Sequence, residues 1–229
     1  MLSIAREFIR GFRKLHFVGP CVTFFGSARF KEDHPYYAAT RELARRIGRV
    51  GFTIMTGGGP GLMEAANRGA QEVGARSIGC NIVLAHEQQP NAYLDVSLTF
   101  ERFFVRKVLL LKYSMAFVVM PGGAGTLDEL FETITLIQTG KVKDFPILLY
   151  GRAYWKPMLD QITAMIAAGT IGQEELKFVF VADSVEEATT LLQDRLVAMW
   201  QEAKSSKDAP KWWFLEGRVN GKLTGPGGR

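Results

Sequence analysis

The 229-residue sequence predicts an α/β fold: a doubly wound, mostly parallel sheet with helices on both faces. Three observations carry this. Short runs of β-branched and aromatic residues recur, and they are mostly apolar throughout rather than alternating, the pattern of parallel strands buried on both faces. Amphipathic stretches of helical length lie between them, giving a βαβ rhythm. Glycine-rich turns follow several of the apolar runs, at the strand ends where doubly wound sheets bind ligands.

In chain order, residues 1–20 form a basic segment, MLSIAREFIRGFRKLHF and the three residues after it, which reads as a short amphipathic helix docked on the body. It lacks the continuous apolar centre and small-residue cleavage site of a secretory signal. The body, 21–204, contributes strands at 21–26, 52–56, 77–84, 116–120, 146–150 and 178–182. Residues 94–99 add an edge strand or an extended connection. Helices are predicted over 36–49, 62–73, 101–113, 127–139, 154–168 and 185–202. The segment 205–229 has neither period; its last ten residues are expected to be disordered. Trp212, Trp213 and Phe214 are expected to fold back on the body or a partner subunit, because three adjacent aromatics are rarely left in water.

Composition narrows the function. Lys and Arg total 28 against 23 Asp and Glu, a net +5, but residues 21–200 hold 18 basic and 19 acidic residues. The excess lies at the two ends, so a nucleic-acid-binding face across the body is not expected. No apolar run reaches the ~18 residues that span a bilayer, and no membrane partner is expected. Cys21 and Cys80, both in apolar stretches, give neither a disulfide framework nor a metal spacing. They read as buried thiols in a reducing, cytoplasmic setting. His16, His34 and His86 lack metal-ligand spacing, so no metal is expected.

Three strand ends carry the chemistry. FFGSARF places Gly26 and Ser27 after the first strand; TGGGPGLMEAANRGA places Gly57, Gly58, Gly59 and Gly61 before a helix; PGGAGTLDE places Gly122, Gly123, Gly125 and Thr126 before another. Glycines there let backbone N–H groups approach a ligand, and the helix start favours an anion. The expected ligand carries a phosphate. Neither the GxxxxGK[ST] loop of triphosphate sites nor the full GxGxxG fingerprint is present, so a mononucleotide or sugar phosphate fits better than ATP or NAD. With the helix beginning around Thr126, Glu129 falls in its first turn, with Asp128 its competitor for a charge-stabilising role.

PGGAGTLDE resembles the PGGxGTxxE signature of the LOG (Lonely guy) family of nucleoside 5′-monophosphate phosphoribohydrolases. TGGGPGLM resembles that family's second glycine loop, FFGSAR its first, and Arg106-Lys107 its Arg-Lys pair; the resemblance spans roughly residues 20–200. It implies a Rossmann-like, cytoplasmic, usually dimeric protein with the site near the subunit interface. The implied reaction cleaves the N-glycosidic bond of a purine-type nucleoside 5′-monophosphate, adenine or cytokinin, to free base and ribose 5-phosphate, with no cofactor. By motif position Glu129 and Arg106 are the catalytic residues. Gly122, Gly123, Gly125 and Thr126 hold the phosphate, Gly58, Gly59, Gly26 and Ser27 line the pocket, and Lys107 is second in rank. The departure is Glu64, where many members have glycine after GLM.

Two rivals are set beside this reading. A non-catalytic nucleotide or molybdenum-cofactor carrier on the same fold needs the phosphate cradle, but gains nothing from a carboxylate beside it. Amino-acid decarboxylation would need a Schiff-base lysine for pyridoxal phosphate, and no lysine of the body follows a glycine loop at a strand end.

Overall fold

Every strand of the sheet runs parallel to its neighbours in the computed structural model, which describes residues 2–84, 89–142 and 145–205. After helix α1 (Leu2–Leu15) come β1 (Cys21–Phe25), α2 (Pro35–Val50), β2 (Thr53–Thr56), α3 (Leu62–Gln71), β3 (Ser77–Ile82) and β4 (Val96–Phe100). Then follow α4 (Phe103–Tyr113), β5 (Ser114–Val119), α5 (Ala124–Gln138), β6 (Ile147–Tyr150), α6 (Arg152–Ala167), β7 (Val179–Ala182) and α7 (Val185–Ser205). The seven strands lie in the order β4-β3-β2-β1-β5-β6-β7. The order reverses between β1 and β5, and a doubly wound sheet opens its ligand crevice at such a point. The expected doubly wound architecture is therefore present, with the 94–99 segment resolved as edge strand β4.

Alternation along the strands builds two cores. Val22 and Phe24 of β1 face one side with Ile54, Val118 and Leu148; α2, α3 and α7 close it through Leu43, Ala66 and Leu192. Cys21 and Phe25 face the other with Met55, Ile78, Phe117 and Leu149; α1, α4, α5 and α6 close it through Leu15, Leu109, Leu130 and Trp155. The two cysteines are free and buried, and burial raises both thiols, Cys80 to about 12. That makes them inert packing groups.

Local chemistry fixes the helix ends. His34 caps α2: its Nδ1 accepts from the Tyr36 N–H at 3.1 Å, and Pro35 supplies a preset first turn. Helix α4 passes into β5 with no connecting residue, and Ser114 turns the corner by donating to the Leu110 carbonyl at 2.6 Å. Among the described residues no helix is long and apolar enough to cross a membrane, and no cluster of His, Cys, Asp and Glu could hold a metal ion. Residues 206–229, with Trp212, Trp213 and Phe214, lie outside the described residues.

Candidate active site

The three loops interlock at the reversal point. Loop one donates the Ser27 N–H to the Pro121 carbonyl at 3.0 Å, and its Ser27 carbonyl accepts the Leu62 N–H at 2.9 Å. This ties the end of β1 to the ends of β5 and β2. Gly61 makes the seam possible. Its φ is +69°, and a Cβ there would stand 2.5 Å from the Ser27 oxygen and 2.7 Å from the Ala28 carbonyl carbon.

The candidate glycines divide into two groups. Gly26 packs against Leu62 and Met120, Gly58 against Asn81 and Gly79, and Gly122 beneath the Thr126 side chain, so these positions are filled by the protein itself. Gly59 is buried too. Gly123 and Gly125 are exposed, with nothing within 4 Å of where a Cβ would stand. The open surface thus lies at the start of α5, where the first helical N–H groups have no intrahelical acceptor. Thr126 is buried and Ser27 partly so; the Ser27 hydroxyl accepts from the Arg29 N–H at 3.1 Å.

Helix α5 starts at Ala124, earlier than expected, so Glu129 sits in its second turn rather than its first. Its placement is therefore not a helix-end effect, which decays within one turn. Glu129 is 4% exposed and, among the described residues, its one ion pair is with Arg106, Oε1 to Nη2 at 3.6 Å. Burial pushes its carboxyl up to about 7, against the downward pull of Arg106 and then Lys107. Glu132 and Asp128 add a smaller upward push. Arg106 reaches in from α4 beside Gly57, and its Nε is buried with no hydrogen-bond partner. A guanidinium with one long ion pair and spare donors is poised for another acceptor.

Lys107 is not part of this opening. Its ammonium pairs with Asp128 and Glu132, each at 2.8 Å, so it braces α4 against α5. Asp128, the competitor of Glu129, is occupied by that brace and half-exposed. Glu64 also faces elsewhere: it accepts from the Tyr37 hydroxyl at 2.9 Å and lines a cleft of about 470 Å³ with Phe30, Pro60 and Gly61. Met63, one residue earlier, takes the Arg106 side of α3, against Gly57.

Sequence reasoning missed the groups that hold the loops. Asn67, fully buried on α3, accepts from Thr56 Oγ1 at 2.7 Å and Asn91 Nδ2 at 3.0 Å, and donates to Ser77 Oγ at 2.8 Å. Asn91 also donates its N–H to the Gly58 carbonyl and Nδ2 to the Gly59 carbonyl. Tyr154 donates to the Gly122 carbonyl at 2.8 Å. A lone asparagine among Ala65, Ala66 and Ala70 was the available signal for the first; the others needed the fold.

Fold and site together define an α/β protein with an open helix start and a buried arginine–carboxylate pair at the reversal point of its sheet. The chain belongs to the family described as "Possible lysine decarboxylase", whose model matches residues 63–192. It is 28% identical over 189 residues to the cytokinin riboside 5′-monophosphate phosphoribohydrolase LOG of Oryza sativa subsp. japonica, covering 80% of this chain and 76% of that one. It is 27% identical over 161 residues to the cytokinin riboside 5′-monophosphate phosphoribohydrolase of Mycobacterium tuberculosis, covering 67% and 86%. The molybdenum cofactor binding protein of Rippkaea orientalis shares the fold, with a TM-score of 0.58 at 20% identity over 78% of this chain and 98% of that one.

Proposed function

We propose that this chain is a nucleoside 5′-monophosphate phosphoribohydrolase that releases a purine-type base, adenine or a cytokinin, from ribose 5-phosphate. The observation that carries the reading is the buried Glu129–Arg106 pair one turn beyond the open start of α5. The sequence relatives, named for this reaction, support it.

The geometry performs the reaction in a short sequence of steps. The 5′-phosphate sits against the N–H groups at the start of α5, where Gly123 and Gly125 leave room and the helix end favours an anion. Glu129 lies five residues past Ala124, ~7.5 Å along the axis at 1.5 Å per residue, a span that suits a 5′-phosphate at one end and an anomeric carbon at the other. As the bond from that carbon to the base nitrogen breaks, its electron pair leaves with the base and positive charge develops on the ribose. The Glu129 carboxylate stabilises that charge and takes a proton from the water that attacks the same carbon. Arg106 hydrogen-bonds the departing base, and the proton taken up by Glu129 is passed on through solvent to that base, so water and nucleotide yield free base and ribose 5-phosphate.

Incubation with AMP is expected to release adenine, detected by chromatography. Because Glu129 acts ionised, kcat/KM is expected to rise about tenfold per pH unit up to about 7 and then level off. A profile that is flat across that range would remove Glu129 from the role of base. A carrier reading, suggested by the shared fold of the cofactor-binding protein, would instead give nucleotide binding with no adenine from any purine monophosphate. The cost of burying Glu129 beside an anion site favours the hydrolase.

A further inference from the structure

We infer that Glu7, on the N-terminal helix, is a positioning residue for the site: through Arg102 it fixes the end of α4 that carries Arg106. Helix α4 is held unequally at its two ends. Its C-terminus runs straight into central strand β5. Its N-terminus begins at Arg102, which makes no side-chain cap, and Phe103, Phe104 and Val108 on the same helix are exposed. Arg106 lies one turn from this looser end, and its N–H bonds the Arg102 carbonyl at 3.3 Å.

Helix α1 supplies the missing hold. Its buried residues are Glu7, Gly11 and Leu15, one helical stripe. Gly11 admits the Leu109 side chain, since a Cβ there would run into the Leu109 methyl. Glu7 Oε1 pairs with Arg102 Nη1, Ser3 Oγ lies 3.1 Å from Arg102 Nη2, and Arg10 donates to the Thr99 carbonyl just before α4. All three contacts converge on the segment from Thr99 to Arg102.

The choice of a charge at Glu7 is the telling part. An apolar residue would pack this stripe without desolvating an ion, and buried ion pairs are generally no more stabilising than apolar packing. Glu7 is 8% exposed, and its Oε2 is buried with no hydrogen-bond partner. What the pair gives is direction: a carboxylate meets a guanidinium in a fixed geometry, which sets the rotation of α4 and hence the reach of Arg106 to Glu129.

The test uses the full chain and two readouts. Glu7→Gln is expected to lower kcat on AMP about tenfold with KM within about twofold, the signature of misplaced chemistry rather than lost binding. This arm rests on the hydrolase reading. The second arm does not: the side-chain carboxyl of Glu129, followed by carbon-13 NMR, is expected to titrate higher in Glu7→Gln than in the wild type, because Arg106 is drawn back. The other charged groups facing Glu129 are Lys107 on α4 and Asp128 and Glu132 on α5, and none is altered. Exchanging the charges, Glu7→Arg with Arg102→Glu, is expected to restore both readouts. Glu101→Gln, which removes the exposed partner of Arg102, is expected to change neither. Should Glu7→Gln fold poorly, Glu7→Asp serves in its place. An unshifted Glu129 titration in the Glu7 variant, or a loss that the exchanged pair does not recover, overturns the inference. Wild-type protein without turnover but with the shift upon substitution would overturn the hydrolase reading alone.

Discussion

Glu129→Gln is expected to lower turnover by about 10³-fold, the range lost when a positioned base and its charge are removed, with nucleotide affinity changed by less than about tenfold. The same variant is expected to be the more stable protein at pH 8. Folding raises the Glu129 pKa from 4.5 to about 7. Below 4.5 the group is protonated in both states and contributes nothing. As pH rises from there through about 7, the unfolded chain ionises freely while the folded one resists. Stability therefore falls, by about 3 kcal/mol in all for a shift of this size. Glutamine cannot ionise, so the variant escapes that loss. Thermal denaturation at pH 8 is expected to show its midpoint several degrees above the wild type, and at pH 4.5 the advantage is expected to vanish. An advantage of equal size at both pH values would assign the gain to packing rather than to ionisation.

Gly61→Ala is expected to be the most damaging small substitution in the loops, costing about 4 kcal/mol. Two costs add: a side chain at φ +69°, and a methyl driven against backbone atoms of Ser27 and Ala28 that cannot swing aside. Gly74 separates them. It has the same φ of +69° but nothing within 4 Å of a Cβ, so Gly74→Ala carries only the dihedral cost, about 1 kcal/mol. Chemical denaturation of the two variants measures the difference. If they lose equal stability, the seam between the first and second loops is softer than its contacts indicate. Loss of nucleotide affinity is expected only in Gly61→Ala, since only that position joins loops of the crevice.

The sheet was legible because its strands are buried on both faces, so β1, β2 and β6 read as mostly apolar runs without alternation. Strand β4 was harder: it lies at the edge, only Leu98 and Phe100 are buried, and its alternation is short. The start of α5 was misplaced because Gly123, Ala124 and Gly125 carry no capping side chain or apolar period to announce a helix. That error put Glu129 in the wrong turn. Glu129 and Arg106 were nameable by motif, yet nothing local revealed that they would meet, since α4 and α5 are separated by a strand. The Lys107 brace escaped for the same reason: its partners become neighbours only when the two helices pack. At Gly26 and Gly58 the side on which a Cβ would stand is filled by Leu62 or Asn81, a packing reason for glycine that only the fold reveals.

The junction without a connecting residue between α4 and β5 has a thermal consequence. The arm that delivers the guanidinium is anchored to the sheet at its C-terminal end and leans on α1 at the other. Warming that frees α1 first should therefore silence this protein before the sheet melts, leaving a folded but inactive species between.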